Sequence, residues 1–451
     1  MNKEKDFGQG SVSANILRLA IPMTLAQLIN VLYNVVDRIY IGHIPHTSTQ
    51  ALTGIGLTLP VITIITAFAN LFGMGGAPLF SMARGADEPE RAERIMGNSF
   101  AMLLASGALL AVFCYLFKHP LLYLFGASDV TYPYANAYIS IYLLGTLFVM
   151  VSLGMNNFIN AQGFGVTGML TVSIGALLNL VLDPLFIFVF HMGVRGAATA
   201  TILSQCVSCI WVLHFLTGEK AIIKLTRKQL HLNFSLIREI SALGLSGFVM
   251  SITNSSVQIM CNATLQRYGG DLYVGIMTVI NSVREIITMP VMGITSGAQP
   301  IMSFNYGAKK YGRVKSAISF TAISCIVFTL VMWAFLFFFP HVFIQMFNSD
   351  PKLLKEGVPA MHLYFFGIFM MALQFAGQST FVALGKSRQA VFFSLFRKVI
   401  IVISLTLWLP TIASLGTDGV FLAEPVSNFI GGTACFVTML LTVWRTLDKR
   451  K

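Results

Sequence analysis

The chain has 451 residues, 55% of them apolar and only 11% charged, against about 25% charged in an ordinary soluble domain. So few charges cannot cover a water-exposed surface of this size, and the mean hydropathy of +0.75 agrees. A soluble enzyme, a secreted disulfide scaffold and a disordered chain are excluded, and the lipid bilayer is the expected solvent. The net charge of +12, from 30 basic and 18 acidic residues, reads as Lys and Arg held on the cytoplasmic side, with no nucleic-acid partner. The polar start, MNKEKDFGQGSVSAN, lacks the cleavage pattern of a removable signal, so the first apolar stretch is expected to stay as a helix.

A membrane-crossing helix needs about 20 mainly apolar residues, and twelve stretches qualify. The first, 15–41, carries Gln27, Asn30, Asn34 and Asp37 at intervals of three, four and three. That spacing puts all four on one helical face, and a stripe of four points to cavity lining more than to isolated packing contacts. The second stretch is 51–83 and the third 95–117; the fourth, 134–160, holds Ser152, Asn156 and Asn157. In the fifth, 167–190, Asn179 and Asp183 lie one turn apart on one face, and Pro184 follows. Proline offers no N–H to the carbonyl of Leu180, so the helix bends there and an oxygen is freed. A carboxylate, an amide and a loosened carbonyl on one turn suit a hard cation or a proton. The sixth, 196–217, contains Thr201 and a Cys206–Cys209 pair; without a second pair or nearby histidines, these read as small packing residues rather than a redox or metal site.

A basic linker at about 217–234 leads to the seventh stretch, 235–265, whose stripe (Ser251, Asn254, Gln258, Asn262) has no acid. The eighth, 273–305, has Arg284 and Glu285 near mid-membrane, and Glu285 is a candidate for contact with a cationic substrate. The ninth is 315–339; the tenth, 356–384, carries Gln374, Gln378 and Ser379. In the eleventh, 389–411, Arg397 and Lys398 are expected to line a cytoplasm-facing vestibule. In the twelfth, 418–444, Glu424 precedes Pro425 near the outer end and is expected to pack.

Loops between the stretches are short, leaving no room for a separate soluble domain. One set of loops holds 20 basic residues, among them Lys3, Lys5, Lys449, Arg450 and Lys451 at the termini, and the other set holds five. This bias predicts that both termini are cytoplasmic. The halves also repeat: a shift of 222 aligns Gly75, Pro78, Ser81, Gly85, Ala86 and Arg91 with Gly297, Pro300, Ser303, Gly307, Ala308 and Arg313. The same shift pairs Gly145 with Gly367 and Gly163 with Gly385. The expected architecture is therefore all-α, with twelve transmembrane helices in two pseudo-symmetric six-helix lobes, 1–220 and 221–451. Such a design is typical of transporters that work by alternating access. From the helical rise, Asp37, Asp183 and Thr201 fall roughly 6, 10 and 8 Å from the outer ends of their stretches, close enough in depth to converge.

The Asn34-x-x-Asp37 ending with Tyr40, Ile41 and Gly42, the Asn179–Asp183–Pro184 turn, and the Gly76–Ser81 segment with its second copy together resemble the multidrug and toxic compound extrusion (MATE) family. The likeness is greatest to its MepA/DinF-like bacterial branch and runs over essentially the whole chain. The resemblance implies a cation-coupled exporter of lipophilic, often cationic compounds, driven by H⁺ or Na⁺ and needing no other cofactor. It also implies residence in a bacterial inner membrane as a monomer. The branch's cation site would fall on Asp37, Asn179, Asp183 and Thr201, and the polar cavity residues would be Gln27, Asn30, Asn34, Asn156, Asn157, Gln258, Glu285, Gln374 and Gln378. The NorM-like branch is known instead for acids on its seventh and tenth helices, where this chain has Gln258, Gln374 and Gln378, so a coupling site in the second half is not expected. A lipid-linked saccharide flippase of the same superfamily is the alternative, and would be expected to offer a more cationic cleft. No motif of a membrane-embedded enzyme, such as His-Glu-x-x-His, is present.

Overall fold

The computed structural model describes residues 7–44, 48–347, 350–412 and 415–448; Lys3, Lys5, Lys449, Arg450 and Lys451 lie outside the described residues. Every regular element among the described residues is helical. The first half supplies α1 (Val12–Gly42), α2 (Gln50–Gly85), α3 (Pro89–Leu124), the bent pair α4 (Tyr132–Leu144 and Thr146–Ala161), α5 (Gly165–Val189) and α6 (Val194–Thr217). A helical run of 74 residues, Phe234–Gly307, follows. Straight, it would extend ~110 Å, several times the ~30 Å of a bilayer core. It breaks at Gly270, whose φ of 70° and ψ of −165° are open only to glycine. The break separates α7 (234–269) from α8 (271–307). Then come α9 (Tyr311–Phe338), the bent pair α10 (Pro351–Phe365 and Ile368–Ala383), α11 (Ser387–Thr411) and α12 (Thr417–Asp448). Among the described residues, nine helices are long and apolar enough to cross a membrane, or eleven when each bent pair is one crossing. Dividing the long run at Gly270 brings the number to the expected twelve.

The sequence repeat is also a repeat of local geometry. α4 bends by 58° next to Gly145, and α10 bends by 41° next to Gly367, its partner at the 222 shift. Asp87 and Lys309, also 222 apart, both close their helices in the left-handed region, with φ of 60° and 57°. Gly163 and Gly385 do the same after α4 and α10, with φ of 93° and 70°. The capping bonds match: Glu88 N–H donates to Ala83 O, and Lys310 N–H to Asn305 O, both at 2.9 Å. So does a tie between helices, since Asn156 donates to Gly168 O and Gln378 to Ala390 O.

The chain packs as two units, one formed by Ile21–Phe248 and the other by the segment up to Ala20 together with the chain from Val249 onward. Each unit therefore includes the helix start that leads into the other half. In the first unit a Cβ at Gly75 would overlap Ile240 O and lie 2.8 Å from Gly244 N. In the second, a Cβ at the repeat-mate Gly297 would lie 2.6 Å from Ala20 N. These glycines recur because a backbone crosses directly over each of them. Polar ties fix the same segments. Asn98 accepts from Asn233 N–H at 2.7 Å in the first unit, and Arg313 donates to the carbonyls of Phe7, Gln9 and Gly10 in the second. Cys206 and Cys209 are free thiols, Cys209 buried.

Candidate functional site

In the first unit α1, α5 and α6 bring Asp37, Asn179, Asp183 and Thr201 together. Asn179, Asp183 and Thr201 are 1%, 1% and 5% exposed, in a setting where polar groups must be matched. With its amide oriented to satisfy both neighbours, Asn179 donates from Nδ2 to Asp183 Oδ2 at 2.6 Å, and its oxygen accepts from Thr201 N–H at 3.1 Å. The Thr201 hydroxyl donates to Ala197 O at 3.0 Å, leaving its oxygen lone pairs to the cluster. The Asp37 carboxyl sits within hydrogen-bonding reach of Asp183. Its Oδ1 is buried with no partner among the described residues. Pro184 does not break α5: the helix continues as one wide π turn, Leu185–Val189. This turn places Phe188 edge-on to Tyr40 of α1, 6.4 Å between centroids. A wide turn of this kind recurs at functional positions in helices.

Three tyrosines that the sequence reading passed over complete this site. The hydroxyls of Tyr33 and Tyr138 both reach Thr201, and Tyr142 stacks on Tyr138 at 6.0 Å. Tyr33 was legible, being four residues before Asp37 and so on its face. Tyr138 and Tyr142 depend on the fold of α4 against α6, which no local spacing encodes.

The remaining stripe of α1 stays open: Gln27, Asn30 and Asn34 are exposed, and Asn34 donates to Asn30 O at 2.8 Å. Asn156 and Asn157 are half-buried and give their N–H groups to backbone carbonyls of Gly168, Leu153 and Gly154. In the second unit Gln374 and Gln378 likewise tie α10 to α11, donating to Phe393 O, Ala390 O and Ser394 Oγ.

The second unit has its own small polar cavity, lined by residues of α7, α8, α10, α11 and α12 that include Gln258, Asn281, Arg284, Tyr364 and Glu424. Glu285 is exposed and is not part of this wall; its neighbour Arg284 is. Arg397 and Lys398 do not line a cytoplasm-facing vestibule. They are 5% and 8% exposed and both reach Glu424, Arg397 Nη2 at 2.5 Å and Lys398 Nζ at 3.3 Å. The expectation failed because loop counting gives depth but no partner, and cations enclosed between helices need a counter-charge, which Glu424 supplies. Glu424 accordingly is the anion of an ion-paired triad rather than a plain packing residue. Arg397 and Lys398 lie in a π-helical segment, Phe396–Ile403, and Gly431 leaves room for the Arg397 stem, since a Cβ there would lie 2.8 Å from Cγ.

The MatE family profile matches residues 22–185 and 248–408. The chain belongs to the MatE family. The two matched stretches begin within one residue of the points where the chain passes between units, at Ile21 and Val249, so each unit of this MatE chain carries one copy of the family's repeat. Curated relatives include the "Multidrug export protein MepA" of Staphylococcus haemolyticus, 24% identical over 98% of this chain and 97% of that protein. The protein of the same name from Staphylococcus aureus (strain NCTC 8325) is 24% identical over 98% and 96%. Among solved structures, "MATE in complex with MaD3S" superposes with a TM-score of 0.93 at 21% identity over the full length of both chains. An "outward-facing conformation of a multidrug resistance MATE family transporter of the MOP superfamily" gives 0.92 at 21% identity, covering 100% of this chain and 99% of that one. The fold is that of a multi-pass MATE transporter.

Proposed function

We propose that this MatE chain exports small lipophilic and cationic compounds by alternating access, as an antiporter driven by H⁺ or Na⁺. The observation that carries the reading is the Asp37–Asp183–Asn179–Thr201 cluster of the first unit. Two carboxyls in mutual reach within a bilayer need a positive charge between them, and Asp37 Oδ1 is buried with no partner among the described residues. A proton or a hard cation supplies that charge, and the amide and hydroxyl oxygens alongside suit the cation. Entry or loss of one charge changes how α1 is held against α5 and α6, and so couples the ion to the stripe of Gln27, Asn30 and Asn34 on the same helix. The names of the relatives, both multidrug export proteins, support the substrate class and a role in antibiotic resistance. We assign the chain to a bacterial inner membrane as a monomer, as the family resemblance implies, with both termini cytoplasmic on the loop-charge bias.

The test is efflux of a cationic dye of the ethidium type from cells, driven in turn by a Na⁺ and a proton gradient, with Asp37→Asn and Asp183→Asn as variants. Both variants are expected to reach the membrane and lose gradient-driven efflux. Undiminished efflux by both overturns the reading. The flippase alternative calls for open cations, and the pairing of Arg397 and Lys398 with Glu424 removes two of them from consideration.

A further inference from the structure

The cavity of the second unit has an imbalance of charge that the coupling cluster does not explain. Three cationic side chains, Arg284, Arg397 and Lys398, stand around one carboxylate, Glu424. Arg397 and Lys398 occupy both oxygens of Glu424. Arg284 makes no ion pair with any carboxylate among the described residues, although it lies on the cavity wall. The other titratable groups on this wall are Cys261 and Tyr364. Glu285, next along the helix, points about 100° away and is exposed. Excess positive charge inside a membrane-spanning bundle is costly unless an anion meets it. The rest of the wall offers N–H and O–H donors from Asn254, Gln258, Asn281 and Thr406.

From this we infer that the cavity between α7, α8, α11 and α12 is an anion subsite, in which Arg284 receives the carboxylate of an amphipathic substrate. A planar guanidinium takes a carboxylate through two parallel hydrogen bonds, and the flanking amides supply donors for the remaining lone pairs. The Arg397–Lys398–Glu424 triad behind it keeps the local potential positive while satisfying its own charges. The enclosed space at the cavity floor is about that of one water molecule, so the carboxylate oxygens alone enter and the rest of the substrate stays outside. The inference deepens the exporter reading by adding carboxylate-bearing amphiphiles to its substrates, and its binding test stands apart from that reading.

The test uses the purified full chain in detergent and a matched pair of xanthene dyes, one with a free carboxylate and the other its methyl ester, followed by fluorescence anisotropy. The unaltered protein is expected to bind the acid about ten-fold or more tightly than the ester, the scale of a charge-assisted pair. Benzoate is expected to displace the acid and not the ester. Arg284→Gln should abolish the preference with ester binding unchanged, and Arg284→Lys should keep part of it. Equal binding of the two dyes by the unaltered protein overturns the inference whether or not the variants fold. Acid binding that survives Arg284→Gln overturns it too, as does displacement by inorganic phosphate or an anionic lipid in place of benzoate. Failure here with normal export of the ester dye leaves the exporter reading standing; loss of ester export alone sinks that reading and not this one.

Discussion

The sharpest energetic prediction concerns Glu424. Changing it to Gln keeps its shape and removes one charge. Arg397 and Lys398, 5% and 8% exposed, then face each other with no anion between them. Removing one partner of a buried ion pair costs about 3–5 kcal/mol, and leaving a charge uncompensated at bilayer depth costs about 3 kcal/mol on the insertion scale. Both routes give about 3 kcal/mol or more. For a cooperative body of some 200 residues, each kcal/mol moves the midpoint roughly 2–4 °C. Glu424→Gln should therefore melt about 6–12 °C below the parent in a detergent thermal-stability assay. Adding Arg397→Met and Lys398→Met to Glu424→Leu should recover most of that loss, because apolar replacement of a whole buried ionic cluster is close to neutral. A Glu424→Gln midpoint within about 2 °C of the parent would refute the buried, mutually dependent triad.

Other outcomes follow from the packing. Gly75→Leu and Gly297→Leu should each sharply reduce the yield of monodisperse protein on size exclusion, because the added atoms meet backbone; Gly312→Leu, where a Cβ meets nothing within 4 Å, is the control that should not. Asn156→Ala and Gln378→Ala remove the same inter-helix tie from the two repeats, and each should cost about 0.5–1.5 kcal/mol, read as similar small drops in thermal midpoint. Lys309→Gly relieves a left-handed backbone at φ 57° and should raise stability by up to ~1 kcal/mol, with Asp87→Gly giving less because aspartate tolerates that region better. A destabilised Lys309→Gly variant would contradict the strain argument.

Much of this architecture can be read in the sequence because the bilayer imposes strict rules. Span count follows from apolar length, and the repeat from recurring glycines; Gly75 and Gly297 stand out because only a residue without a side chain fits under a crossing backbone. Asn179 and Asp183 were paired by helical spacing alone. Their meeting with Asp37, Thr201, Tyr33 and Tyr138 depends on packing between helices, which spacing within one helix does not encode.

Composition, periodicity and the 222-residue register thus determined the membrane solvent, the twelve helices and the polar faces. These are local properties, set by backbone hydrogen bonding and side-chain length. Only the tertiary structure decided which charges meet. It joined Arg397 and Lys398 to Glu424, about 27 residues away along the chain, left Arg284 facing a cavity, and placed each helix start in the opposite unit. Partner choice among buried charges depends on which helix faces touch, and a one-dimensional pattern holds no record of that.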